Sequence, residues 1–592
     1  MLVLLSLPLL SCGGVVGFRK EVDAWLLSYG RTYQQLSYEA QLADWQSQTH
    51  IVEGDTTNAA RTKAAKEKLA QFSGAVDNIE KIRGYLKQRD RLTPLEARQL
   101  EVMLFNAGDN PGTVPDLVKQ RIAAETEQTE KLYGFNFTLA GKPITPNDID
   151  NLLRTSTNLA QRQAVWEASK QVGPALKPGL LKLRDLRNGV VQALGYKDYF
   201  DYQVSAYGMT SDEMLALMDT LNVQLRPLYQ ELHTWTRYEL AKRYHAPVPD
   251  LIPAHWLTNR WAQDWSDLVS VKGLDVDAAL RKHDAEWVVK QGEQFYVSLG
   301  FPQLPASFWE KSSLYPVAAE AGYKKNTHAT AWHMDLDGDV RSLMSVEPNR
   351  EWWETVHHEL GHIYYYVSYS RPEVPYVLRS GANPAYHEGM GTLIGLASLQ
   401  RRALVDRGLI DGRTKVDSMQ KLLQEALNYV VFIPWAAGTM PRWEHAFYAG
   451  RLPADSLNAR WWALAGRYQG IAPPTPRGEE FADAITKTHI NDNPAFYYSY
   501  AVAQALLFQL HDHIAREILK QDPHDTDYFG HKGVGDFLRT IMAPGASRPW
   551  REVLKESTGR TLDARAIVDY FEPLYLWLKR QNQGRKATLP PL

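Results

Sequence analysis

The chain has 592 residues, 44% apolar and 23% charged, and 66 basic side chains nearly balance 68 acidic ones for a net charge of −2. This is a globular composition with ample core, and its charge gives no purchase on nucleic acid or an anionic bilayer. The single cysteine, Cys12, excludes disulfides and thiol chemistry from the folded part.

Residues 1–11, MLVLLSLPLLS, are apolar but too short to span a bilayer. They suit the apolar region of a secretion signal, although a basic start is missing. Leu9-Leu10-Ser11-Cys12-Gly13 has the form of a bacterial lipoprotein processing site, with Cys12 as the lipidated N-terminus. Leu10 is larger than the residue preferred there, and an ordinary cleaved signal is the alternative. Residues 1–12 are therefore expected to be a leader. The expected location is the cell envelope or periplasm, lipid-anchored or secreted, with a lipid at Cys12 as the only membrane attachment.

No repeat, low-complexity tract or polar linker divides residues 18–581, although domain-size arguments would split a chain this long. The expected fold is mainly α: one large helical domain of two lobes around a deep central cleft, with a few short strands and a tail at 582–592. From Phe18 to about Glu130 the sequence is rich in Ala, Glu, Lys, Gln and Leu, which favour helix. Thr93-Pro94-Leu95-Glu96 has the form of a capping box with proline at the first helical position. Tyr133 to Pro146 reads as a short hairpin turning at Gly141. Helix resumes from Asn147 to about Ala246. His255 to Val269 is aromatic-rich, and Gln263 within it reads as an ordinary helix residue. Leu314 to Arg341 breaks from helix, with alternation over His328–His333 and a turn at Asp337-Gly338. An edge strand there would hold an extended peptide by main-chain pairing. By itself His328 reads first as a satisfied structural histidine.

Trp352 to Tyr366, WWETVHHELGHIYYY, contains His358-Glu359-Leu360-Gly361-His362. Residues four apart share a helix face. His358 and His362 can thus offer two imidazole nitrogens to one metal ion, with Glu359 beside them to take a proton from a metal-bound water. A helix that merely carries two histidines is the plainer alternative. The next stretch, GANPAYHEGMGTLIGLASL, has Asn383 as N-cap and Pro384 at the first helical position. It places Glu388 in the second turn as a third ligand, leaving the fourth position for water: an open site of the catalytic kind. Gly389, Gly391 and Gly395 would let this helix lie close against the first.

Residues 400–470 read as mainly helical, and Ile471 to Pro476 as a rigid irregular connector. Lys487-Thr488-His489 precedes a loop, and Tyr497, Tyr500 and Gln504 then share one helix face. A buried aromatic stripe is the plainer account of that face. Ala546 to Gln581 reads as amphipathic helix.

Taken together, HWLTNRWAQDW, HATAW, HHELGHI, RSGANPAYHEG, WWALAGRYQGIAPPTPR, KTHI and SRPWREVLKE resemble, in order, the angiotensin-converting-enzyme (peptidyl-dipeptidase A) family of zinc metallopeptidases. The resemblance runs from about Phe18 to Gln581. It implies one Zn²⁺ per chain on His358, His362 and Glu388, with Glu359 as general base and acid. His328, Ala329 and His489 would bind the substrate backbone beside the scissile bond, and Tyr500 would donate to the oxyanion. Gln263, Lys487 and Tyr497 would hold the substrate's C-terminal carboxylate. Two registers of the last helix compete. Counting back from Phe508 gives Tyr497 and Tyr500, whereas anchoring on Pro494 gives Ala495 and Tyr498; the ungapped helix is preferred because loops absorb insertions.

The implied activity is release of C-terminal dipeptides from short peptides by a monomer. The alternatives are a carboxypeptidase removing single residues, against which Gln263 argues because a longer arginine stands there in the related enzyme, and a non-catalytic peptide-binding protein. Several positions depart from the family. Val204, Ala465 and Ser499 stand where its chloride-site arginines are placed, so chloride dependence is not expected. Thr392 replaces an aspartate that supports a zinc-binding histidine. The segment between His362 and Glu388 is slightly longer, an insertion placed in the Ser368–Pro375 turn.

Overall fold

The helix-favouring composition of the first third folds into α1 (Cys12–Thr49), α2 (Thr57–Ser73), α3 (Val76–Leu86), α4 (Pro94–Ala107) and α5 (Pro115–Tyr133). The structure, a computed structural model, describes residues 12–52, 54–273 and 275–592. The expected leader, with the side chain of Cys12, lies outside the described residues. The capping box starts α4: the Thr93 hydroxyl accepts from the Glu96 N–H, the Glu96 carboxylate accepts from the Thr93 N–H, and Pro94 sits first in the helix. The hairpin follows, with β1 (Thr138–Leu139) antiparallel to β2 (Lys142–Pro143). Ala140 and Gly141 between them both have positive φ, at 51° and 75°, which a two-residue turn matched to the strand twist demands.

Next come α6 (Pro146–Thr155), α7 (Leu159–Ala168), α8 (Gly173–Gln192), α9 (Tyr199–Ser205) and the 33-residue α10 (Ser211–Arg243). Then β3 (Ile252–Pro253) pairs in parallel with Ile471–Ala472. The segment carrying Gln263 departs from the sequence expectation, because residues 257–265 are not helical. The Asn259 side chain accepts from the Trp261 N–H (2.9 Å), and Ala262 adopts a left-handed φ of 55°. Both take the backbone out of helical register.

After α11 (Asp277–Leu280), α12 (Ala285–Ser298) and α13 (Ala306–Lys311), the break from helix contains β4 (Thr330–His333) antiparallel to β5 (Val340–Leu343). The second half holds α14 (Arg350–Tyr369), α15 (Pro384–Ser398), α16 (Arg401–Asp406), α17 (Ser418–Ile433), α18 (Met440–Tyr448) and α19 (Leu457–Gln469). Between α17 and α18, Pro434–Thr439 widens into a π-helix. Ile471 and Ala472 form β6, so only the remainder of the connector is irregular. Finally come α20 (Thr488–Asp492), α21 (Tyr497–His513) and α22 (Lys532–Met542). The last segment is three helices rather than one: α23 (Trp550–Thr558), α24 (Arg565–Tyr570) and α25 (Glu572–Gln581). Gly559, at φ 72°, ends α23 in the left-handed conformation that glycine tolerates.

The mainly-α fold has one principal apolar core, drawn from Leu132 through to Leu578, and a smaller one joining α1, α3 and α4 to Val374, Val377, Leu378 and Ala546. Beyond α25 the chain stays docked. Arg237 of α10 donates to the Lys586 carbonyl (2.8 Å), and Leu589 packs on the principal core. At its centre α14 lies against α15, and α15 in turn against α21. These three helices carry most of the candidate site.

Candidate active site

The Asn349 side chain caps α14 by accepting from the Trp352 N–H (2.9 Å). That fixes the helix start, and the four-residue spacing brings the Nε2 atoms of His358 and His362 to 3.1 Å. Ligand atoms of His358, Glu359 and His362 lie within 4.8 Å of one another. Asn383 caps α15 through the Ala385 N–H (2.9 Å), and Glu388 in its second turn brings Oε2 to 3.8 Å from His358 Nε2. A tetrahedral zinc ion with Zn–N bonds of about 2.0–2.1 Å spaces its ligand atoms roughly 3.3 Å apart. The His358–His362 spacing and, less closely, the His358–Glu388 spacing suit two edges of such an ion.

The electrostatics agree with that fit. Burial pushes His358 down to about 4 and His362 well below its ordinary value, so both rings are neutral with lone pairs free to bind a cation. Burial also pushes Glu359 up to about 8, helped by the nearby Glu388 carboxylate, and raises Glu388. Glu359 Oε2 is buried without a hydrogen-bond partner. The buried Glu359 carboxyl and the half-exposed Glu388 carboxyl, beside two neutral imidazoles, make a pocket short of positive charge, which a divalent cation supplies.

Glycines bring the helices together, though not all as expected. A Cβ on Gly391 would stand 2.9 Å from the His358 ring, and one on Gly361 would stand 3.0 Å from the Gly391 Cα. Gly395 makes only ordinary contact with Glu354, and Gly389 faces Leu506 and Ala503 of α21 instead of α14. Among the described residues, Glu388 is the only carboxylate within 4.0 Å of a nitrogen of His358 or His362. Among the described residues, then, no other acid stands in for the one expected where Thr392 lies.

The remaining candidates gather from distant parts of the chain. Lys487 Nζ and the Tyr497 hydroxyl both donate to Gln263 Oε1, each at 3.3 Å, across 224 and 234 residues of sequence. The irregular backbone at 257–265 is what aims Gln263 there. His489 Nε2 lies 3.4 Å from the Tyr500 hydroxyl. Burial raises the Tyr500 phenol and the Glu388 carboxylate adds to it, while His328 opposes the rise that burial gives Glu388. His328 and Ala329 directly precede β4, which the Tyr366 hydroxyl of α14 fastens by donating to the Ala331 carbonyl (3.3 Å). Tyr498 points away from this group and packs on Phe200 and Tyr207, each at 5.6 Å between rings. Val204, Ala465 and Ser499 are all buried and put no cation at those three positions.

The sequence reading missed Trp261, Lys170 and Trp435. The Trp261 ring lies 4.2 Å from Lys487 Nζ and 4.9 Å from buried Lys170 Nζ, and Trp435, on the π-helix, meets Tyr497 edge-on at 5.7 Å. The aromatic density of WLTNRWAQDW was the available signal; nothing in one sequence pairs it with lysines so far away.

The fold and the site thus define a class: a helical protein that presents H-E-x-x-H from one helix and a glutamate from the next. The family model for angiotensin-converting enzyme, peptidase family M2, matches residues 18–589, and the chain belongs to that family. It is 30% identical to the angiotensin-converting enzymes of Mesocricetus auratus and Mus musculus, over 96% and 95% of this chain but 44% and 43% of those proteins. It is 31% identical to an angiotensin-converting enzyme-related protein of Drosophila melanogaster, over 73% of this chain and 71% of that protein. The chain therefore spans less than half the length of these two mammalian relatives.

Proposed function

We propose that the chain is a zinc peptidyl-dipeptidase that releases C-terminal dipeptides from short peptides. Family membership supports a peptidase, and one observation carries the finer reading: Gln263, Lys487 and Tyr497 converge on one point, with Tyr497 on α21, which packs against α15. A cation and two neutral polar groups suit a free carboxylate.

His358, His362 and Glu388 would hold zinc, which when bound acidifies the attacking water and polarises the scissile carbonyl. Glu359 takes the proton of the attacking water, through the buried oxygen left without a partner, and returns it to the leaving amine. Tyr500 donates to the oxyanion as it develops, with His489 against its hydroxyl. Lys487, Gln263 and Tyr497 hold the substrate's terminal carboxylate, and Trp261 shelters the Lys487 ammonium from water.

The proposal includes a single catalytic ion, independence of chloride, a monomer, and residence in the cell envelope or periplasm through the leader and Cys12. No described helix is long and apolar enough to cross a membrane.

The test is mass spectrometry of a blocked hexapeptide incubated with zinc-loaded protein, alongside Glu359→Gln and a chloride titration. Stepwise loss of two residues from the C-terminus, absent in the variant and indifferent to chloride, is the expected result. Loss of single residues would replace the reading with a carboxypeptidase. Zinc binding without cleavage would leave a peptide-binding protein.

A further inference from the structure

Glu444 of α18 is 2% exposed, and its Oε1 accepts from the Ala495 N–H at 2.7 Å. Its second oxygen is buried with no hydrogen-bond partner. Ala495 is wholly buried and sits at φ +57°, a left-handed conformation that a residue with a Cβ adopts reluctantly. Two residues later α21 begins, and its first four residues include Tyr497 and Tyr500.

The preceding segment is anchored separately. Asn491 donates to the Lys487 carbonyl (3.0 Å) and is held in turn by Gln128 (2.7 Å) and Arg187 (2.7 Å). Between Asn493 and Phe496, by contrast, the Glu444 bond is the only one linking backbone to a side chain among the described residues. A buried carboxyl, costly to place and used on one oxygen only, thus secures a strained residue at the root of the helix that bears both tyrosines.

We infer that Glu444 is a positioning residue of the proposed reaction: by holding Ala495 left-handed, it sets the direction in which α21 presents Tyr500 and Tyr497 to the substrate. The inference rests on the peptidase reading only for its kinetic consequence. Burial pushes the Glu444 carboxyl up to about 8, against the pull of the Ala495 N–H and Arg187. A neutral acceptor is therefore enough, and glutamine should replace it.

Three variants test this in the zinc-loaded full chain: Glu444→Gln, Glu444→Leu, and Glu444→Leu with Ala495→Gly. The readouts are zinc content, Tm, hydrogen–deuterium exchange over residues 493–500, and kcat and KM on a blocked hexapeptide. In Glu444→Leu, exchange should rise in 493–500 with zinc retained, and kcat should fall about tenfold or more as Tyr500 loses its aim. Glu444→Gln should keep both within about threefold of the parent, as expected if the bond needs only a carbonyl oxygen. Ala495→Gly should restore part of kcat to the leucine variant by removing the left-handed penalty. Unchanged exchange at 493–500 in a folded Glu444→Leu protein would overturn the inference, as would a glutamine variant that behaves like the leucine one. If the parent cuts no peptide, the peptidase reading fails, and the exchange data still decide whether Glu444 holds the loop.

Discussion

Gly391 of α15 lies so close to His358 of α14 that a Cβ there would stand 2.9 Å from the imidazole Nδ1. The glycine is the space into which the first candidate ligand fits. Gly391→Ala must therefore push the ring aside or part the two helices. Zinc affinity, read by competition with a chelator, is expected to fall about 10–100-fold, comparable to the loss of a group that orients a ligand. Wild-type affinity in this variant would mean that the two helices part freely.

In the proposed reaction Glu359 and Tyr500 act on the reacting atoms without being needed to hold the ion. Glu359→Gln is expected to keep its zinc and lose about 10²–10⁴ in kcat, the usual yield of a general base. Tyr500→Phe should lose about 10²–10³ in kcat with little change in KM, as for other oxyanion donors. A Tyr498→Phe protein with the greater loss would move the oxyanion role to the residue that packs on Phe200 and Tyr207.

Burial pushes the Lys487 ammonium down to about 7, with Arg260 adding to the effect and Asp492 opposing it. The group is charged below that pH and neutral above it. Attraction for a substrate carboxylate is then present at lower pH and fades as pH rises through about 7. Measured as kcat/KM for a free-acid peptide over its C-terminal amide, selectivity should decline across that range. Lys487→Met should make the ratio low and flat, and a ratio that rises with pH would exclude this role for Lys487.

Stability in acid is set partly by histidines far from the site. His511 is fully buried; its Nε2 donates to the Pro523 carbonyl (2.7 Å) and its Nδ1 accepts from the Tyr528 hydroxyl (2.5 Å). Burial pushes it down to about 4. As pH falls below about 6.5 the unfolded chain takes up a proton that the folded one refuses, so stability drops until about pH 4. The loss between pH 6.5 and 5 is on the order of 2 kcal/mol for this one group. Urea unfolding at both pH values should show a smaller difference in His511→Gln than in the parent, and equal differences would remove His511 from the account.

The sequence by itself determined whatever is encoded locally. Four-residue spacing on one helix puts His358 beside His362, and capping by Asn349, Asn383 and Thr93 follows from side chains two or three residues from the N–H groups they satisfy. The Ala140-Gly141 turn belongs to the same short range. The tertiary structure decided what depends on long-range packing. Gln263 looked like a helix residue because its neighbours have helical composition, yet Asn259 and Ala262 divert the backbone and send it to Lys487 and Tyr497. Gly389 looked like part of the α14 contact, but rotation along α15 turns it to α21, leaving Gly391 to meet His358. Glu444 carried no signal at all, since its meaning lies in one hydrogen bond to an alanine fifty-one residues away. Local rules reach about one turn along the chain, whereas a pocket is made where segments hundreds of residues apart are packed into one place.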